Sequence, residues 1–296
     1  MRALSWFLGL MAVALAAIAA FSWPAWLLLH PHFDFPFHRI GERVGMLALL
    51  LGFVAVARRL KLADRASLGY GVPRREFVRE MALGLILGVV TMLALVGLMS
   101  TLGLLDWSLA ATFSVGTLAK LIALRAVSGF AVAFIEETFL RGAMHSAIER
   151  ESGTTAAVLC TALLYAATHF FASFHIPPEQ VSAHSGLTLL AGTLQRFAHP
   201  AAIADAFLAL CAVGVVLGVV RATTGNIAAC IGLHAGWVWV MLTMHELTRP
   251  LPGAPLAFLL SRFDGFVGWL VFAWTVLLTV PLWRFYSRRA RRVAPA

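Results

Sequence analysis

The chain reads as an all-α protein, a polytopic bundle of about eight transmembrane helices with both termini cytoplasmic. Three observations predict this. Of its 296 residues, 60% are hydrophobic and 12% are charged, whereas a soluble domain carries about 25% charged residues. The mean hydropathy is +0.86. The apolar residues also fall into repeated runs long enough to cross a bilayer as helices. The net charge of +9 is accounted for by topology, so the expected surroundings are lipid and no nucleic-acid partner is expected.

The first run, 4–29, follows Arg2 and extends to Leu29. It is too long for a cleaved signal core and reads as a retained helix. Runs at 42–57 and 78–100 follow, separated by a basic connection, Lys61–Glu80, that Gly69, Gly71 and Pro73 interrupt. That connection predicts a cytoplasmic stretch with a short amphipathic piece on anionic headgroups. Further runs lie at 118–145, 154–173, 205–221, 226–246 and 265–284. If eight spans alternate, Arg2, the cluster Arg58–Arg79 and the tail Arg284–Arg292 share one side, which places most of the 23 Lys and Arg in the cytoplasm.

Between the fifth and sixth runs, His175–Pro200 carries Pro177, Pro178, Glu179, His184 and Arg196 and reads as a solvated outer loop. The first outer loop holds His30, His32, Asp34 and His38 and reads as interfacial. Glycines four apart (Gly84/Gly88, Gly214/Gly218, Gly232/Gly236) predict close helix packing. Cys160, Cys211 and Cys230 lack metal-ligand spacing and read as small buried hydrophobes. His145 is expected at the cytoplasmic interface, and Glu246 and Asp264 in solvent. The chain divides into N-terminal helices with the basic connection (1–117), a core (118–247), and a last helix with a basic tail (248–296), all within one bundle.

The chemistry concentrates in Phe134-Ile-Glu136-Glu137-Thr-Phe-Leu-Arg141. Ionisable groups inside a membrane-length run cost several kcal/mol unless paired, so they mark a functional site. On a helix Glu137 and Arg141 share a face and form a structural pair. Glu136 is turned about 100° away and is free to face a cavity as a general base. His169, one turn after Tyr165, and His234 sit in later runs. An acid and two imidazoles that converge away from lipid have the composition of a hydrolytic site.

These residues carry a resemblance. Glu136-Glu137-Thr-Phe-Leu-Arg141 matches the EExxxR motif of the CPBP family of intramembrane glutamic proteases, which includes the CAAX proteases and the bacteriocin-processing Abi proteins. Tyr165-Ala-Ala-Thr-His169 resembles its FxxxH motif, with tyrosine in place of phenylalanine, and Ile231-Gly-Leu-His234 resembles its third motif. The resemblance implies an endopeptidase in which Glu136 and His169 activate water, Glu137 and Arg141 support them, and His234 stabilises the oxyanion. It implies a membrane-associated protein or peptide as substrate, no cofactor, no metal, and a bacterial inner membrane as location. CAAX-processing members carry an asparagine four residues after the third-motif histidine, where this chain has Val238. Trp237, Trp239 or Asn226 are the candidate replacement donors.

Three other readings follow from the same residues. A glutamate and two histidines can hold zinc, although no HExxH motif is present. Intramembrane acids and histidines can form the proton path of a transporter, although no inverted repeat is evident. The scaffold can also serve as a non-catalytic membrane chaperone or immunity protein.

Overall fold

The computed structural model describes residues 1–33, 35–170 and 175–293. Asp34 of the first outer loop, residues 171–173 of the fifth run, and the side chains of Arg196 and Arg292 lie outside that description. The protein is an all-α bundle. Helices α1 (Arg2–Leu29), α2 (Phe37–Arg59) and α3 (Arg74–Thr101) lead into α4 (Val115–Glu137), a π-turn (Thr138–Met144) and α5 (His145–Thr168). The short α6 (Ser185–Gln195) precedes α7 (Ala204–Thr224), α8 (Ala228–Leu247) and α9 (Trp269–Val293).

Among the described residues seven helices are long and apolar enough to cross a membrane, and many of their apolar side chains face outward, among them Leu51, Ile86, Val127 and Leu277. An integral membrane protein presents such a surface to lipid. The count is seven where eight runs are read from the sequence, because the fourth and fifth runs join into one stretch, Val115–Thr168. Its 54 residues would reach about 80 Å as a straight helix, against a hydrocarbon core of about 30 Å. Gly153 breaks the stretch with φ 83°, a left-handed conformation that glycine adopts without steric cost.

Contacts at the two ends keep the alternation. The α1 amide N–H groups of Arg2 and Ala3 donate to Glu151 beside the Gly153 break. Arg150 reaches Ser67 in the basic connection, Ile227 N–H donates to Gly69 O, and Arg289 pairs with Glu80. These contacts collect the basic segments at one end of the bundle. At the other end β1 (Leu105–Asp106) pairs antiparallel with β2 (Arg249–Pro250).

The glycine pairs set the helix spacing. A Cβ on Gly84 would lie 2.5 Å from Ala229 O, and one on Gly232 would lie 2.0 Å from Met81 O. Helices α3 and α8 therefore touch backbone to backbone. Gly214 does the same against Ala162, where a Cβ would approach within 2.7 Å of the Cα, and this seats α7 on α5.

Three local expectations are corrected. The stretch read as an outer loop contains α6, which Gly186 packs against Ala19 of α1. At 11 residues it is too short for a span; Leu189 is buried while Leu187 and Leu194 are exposed. His145 is fully buried rather than interfacial. Glu246 is paired with Arg125, and Asp264 accepts from the amides of Phe266 and Val267 as a turn cap.

Candidate active site

Helix α4 begins at Ser114, whose hydroxyl accepts from Thr117 N–H, a cap that frees the chain from an unpaired amide. It lies directly against α8 because of Gly129: a Cβ there would be 3.0 Å from both Ala235 O and Trp239 N. That contact, two turns before Glu136 and Glu137, sets their height opposite His234.

After Glu137 the backbone widens into the π-turn. Such i→i+5 turns are rare and recur at functional sites. Gly142 brings the turn against the basic connection, where a Cβ would be 2.6 Å from Leu68 O. Tyr70 of that connection contacts Thr138 at 2.6 Å. The Thr138 hydroxyl proton is committed to Phe134 O, so Tyr70 is the donor. Burial pushes the Tyr70 phenol up, so it keeps its proton.

Glu137 is fully buried, and its Oε1 accepts from Arg141 Nη1 at 2.9 Å and from His234 Nδ1 at 2.8 Å. Arginine stays cationic at any ordinary pH, so the carboxylate beside it serves as an acceptor and His234 carries its proton on Nδ1. Arg141 also donates to Gly214 O at 3.3 Å, and its guanidinium lies 4.8 Å from the Tyr165 ring centroid. The Glu137–Arg141 pair read from the i,i+4 spacing is present. The sequence did not reveal that the same oxygen also orients His234.

With Nδ1 occupied, His234 turns Nε2 toward Glu136 Oε2 at 3.9 Å and the Tyr165 hydroxyl at 3.4 Å. The two adjacent acids meet different surroundings, as the offset between consecutive helix positions requires. The Glu136 side chain is 32% exposed and that of Glu137 is 0%. Glu136 Oε2 is nevertheless buried, with no hydrogen-bond partner among the described residues. An unpaired buried acceptor is costly unless a donor occupies the space before it.

His169 closes α5. Its Nδ1–H donates to Tyr165 O at 2.8 Å, and its ring meets the Tyr165 ring edge-on at 4.5 Å. That bond leaves Nε2 as the ring nitrogen free to face the cluster. His169 joins the cluster through Tyr165, and among the described residues no direct hydrogen bond links it to Glu136.

The three candidate replacement donors have hydrogen-bond partners elsewhere. Trp237 Nε1–H donates to Thr91, Trp239 Nε1–H donates to Ile122 O, and Asn226 donates to Thr224 O while capping α8 at Ala228 N–H. The donor beside His234 is Tyr165, the position where the second motif departs from phenylalanine; that departure was the available signal. Among the described residues no group of three or more His, Cys, Asp or Glu is placed to hold a metal ion.

Residues 118–240 match the family model described as type II CAAX prenyl endopeptidase Rce1-like. The match covers under half of the chain and includes every side chain of the cluster. It agrees with the CPBP resemblance carried by the three motifs, so over this segment the chain is similar to a family of membrane proteases. No curated protein and no solved structure matches the chain.

Proposed function

We propose that the protein is an intramembrane endopeptidase of glutamic type, hydrolysing a peptide bond in a membrane-associated protein or peptide. One observation carries the reading: the unpaired, buried Oε2 of Glu136 lies beside an imidazole that a buried carboxylate holds in a fixed orientation. In this reading a water donates one hydrogen to Glu136 Oε2 and the other to His169 Nε2.

In the hydrolysis, Glu136 takes one proton from this water and the hydroxide attacks the scissile carbonyl carbon. The oxygen gains negative charge and accepts from the Tyr165 hydroxyl and from His234 Nε2 when that nitrogen is protonated. Donors fixed in place before the charge develops are the most effective stabilisers of such an intermediate. As the C–N bond breaks, Glu136 returns its proton to the leaving amine. Glu137 and Arg141 take no part in bond making; they hold His234 in register. Asn226 and Trp237 have no role in this scheme.

The family match supports proteolysis as the class of reaction. The orientation with both termini cytoplasmic, a bacterial inner membrane, and the division at 117 and 247 belong to the same proposal. The test compares new protein termini in membranes carrying wild-type protein and Glu136→Gln. Removing a general base is expected to lower cleavage at least a hundredfold, and identical termini in both would reject proteolysis. Activity that survives exhaustive chelation separates this mechanism from a zinc protease.

A further inference from the structure

Resting on the endopeptidase reading, we propose that Arg221 of α7 is a positioning residue for the site: it fixes the π-turn and thereby the register of Arg141, Glu137 and His234. Arg221 sits at the basic end of α7, is 6% exposed, and forms no ion pair among the described residues. Its Nε donates to Arg141 O at 2.9 Å and its Nη2 to Ser146 Oγ at 3.2 Å. Both acceptors are neutral. A buried cation with neutral partners adds little to stability, because desolvation costs about what the hydrogen bonds return.

The placement of those bonds gives Arg221 its role. Gly214, seven residues earlier and on the same face of α7, accepts from Arg141 Nη2 at 3.3 Å. Helix α7 therefore grips Arg141 at both ends, the guanidinium through Gly214 O and the main-chain carbonyl through Arg221. Within the π-turn, His145 N–H reaches back five residues to Leu140 O. A π-turn is a widened turn inside an α-helix, and returning it to α geometry would rotate everything that follows relative to Glu136 and Glu137. The Arg221 and Gly214 contacts hold the widened form. The chain of contacts runs from Arg221 to the Arg141 carbonyl, through the Arg141 side chain to Glu137 Oε1, and on to His234 Nδ1. Arg221 touches none of the groups that handle substrate or water.

The experiment measures steady-state cleavage of a fluorogenic peptide built on a cleavage site found among the new termini, thermal unfolding in detergent and amide exchange over residues 138–146 for wild type, Arg221→Met, Arg221→Lys and Glu136→Gln. Loosening a positioned group is expected to lower kcat ten- to a hundredfold with KM within about twofold. Arg221→Lys, which can keep one of the two bonds, is expected to recover part of that loss. Amide exchange over 138–146 should rise in Arg221→Met while the unfolding temperature stays close to wild type. A merely structural role would lower the unfolding temperature and leave kcat per folded molecule unchanged, and that result would overturn the inference while leaving proteolysis intact. Wild type no faster than Glu136→Gln would instead reject the endopeptidase reading, and the positioning role with it.

Discussion

The two walls of the site are built by opposite means. On one side, α8 presents His234 from a seam of glycines packed on α3, where Gly232 and Gly236 meet Met81 O and Leu85 O with no room for a methyl group. On the other, α4 and the π-turn present Glu136, Glu137 and Arg141 through hydrogen bonds and charge, with α7 gripping Arg141 at two points. The first wall is placed by van der Waals contact between backbones; in the second, Gly129 sets the height of α4 and Gly142 seats the turn, but polar partners that a different backbone geometry would lose orient its side chains. A packed seam tolerates loss of polar groups but not added volume. A polar lattice behaves the other way, since a buried group left without its partner is penalised heavily.

The comparison predicts the largest effect on the polar wall. Arg141→Met leaves Glu137 buried without its cation, and truncating one partner of a buried pair costs about 3–5 kcal/mol. Thermal unfolding in detergent should show that loss, and a destabilisation below about 1 kcal/mol would mean that Glu137 finds another partner. Next comes Tyr165→Phe, which deletes the hydroxyl beside His234 Nε2 and keeps the ring under Arg141. Removing one oxyanion donor lowers kcat by about 100- to 1,000-fold, with stability reduced by only about 1 kcal/mol. Unchanged kcat would show that the oxyanion draws its donors elsewhere.

How far each wall could be read from the sequence follows from the same contrast. Glycines at i and i+4 in apolar runs announce a close seam, and the α3–α8 contact is where Gly84 and Gly232 place it. The Glu137–Arg141 pair was legible because an i,i+4 spacing fixes a shared face. Motif order combined with helix alternation predicted that Glu136, His169 and His234 converge; the structure sets His234 beside Glu136, while His169 reaches them through Tyr165, a link the sequence did not show. The π-turn was not legible: Thr138–Met144 has an ordinary helical composition, and the widened turn is decided by a donor and an acceptor on α7 and by the Leu68 backbone, far away in sequence. The same holds for Trp237, whose hydrogen bond to Thr91 depends on which way α8 turns. Burial of His145 was missed because its neighbour Arg221 lies 76 positions later.

On the packed wall a single methyl group is enough. Gly232→Ala puts a Cβ where Met81 O lies at 2.0 Å and Leu85 N at 2.7 Å, both backbone atoms. Separating the helices to admit it should cost about 1–3 kcal/mol and carry His234 away from Glu137, so unfolding temperature and kcat fall together. Gly97 has open space around it, and Gly97→Ala is the control expected to leave both unchanged. A Gly232→Ala protein with wild-type unfolding and kcat would show that the seam does not fix the histidine.

The smallest effect belongs to the basic connection, away from either wall. Hydrogen bonds from the Ser67 hydroxyl and amide hold the Asp64 carboxyl below its ordinary value of 3.8. A carboxyl lowered on folding stabilises the fold above its unfolded value, and that contribution is lost as pH falls through the folded value, below 3.8. Asp64→Asn should therefore reduce stability slightly at neutral pH and flatten the part of the acid dependence that lies below pH 4. Asp64 is fully exposed to solvent, so salt and water screen most of the effect. The Ser67 hydroxyl also receives Arg150, which joins the connection to the limb that precedes Gly153. A large loss of kcat in Asp64→Asn, with unfolding unchanged, would mean that the connection governs the polar wall through Leu68 and Tyr70 and that the π-turn is held from two sides.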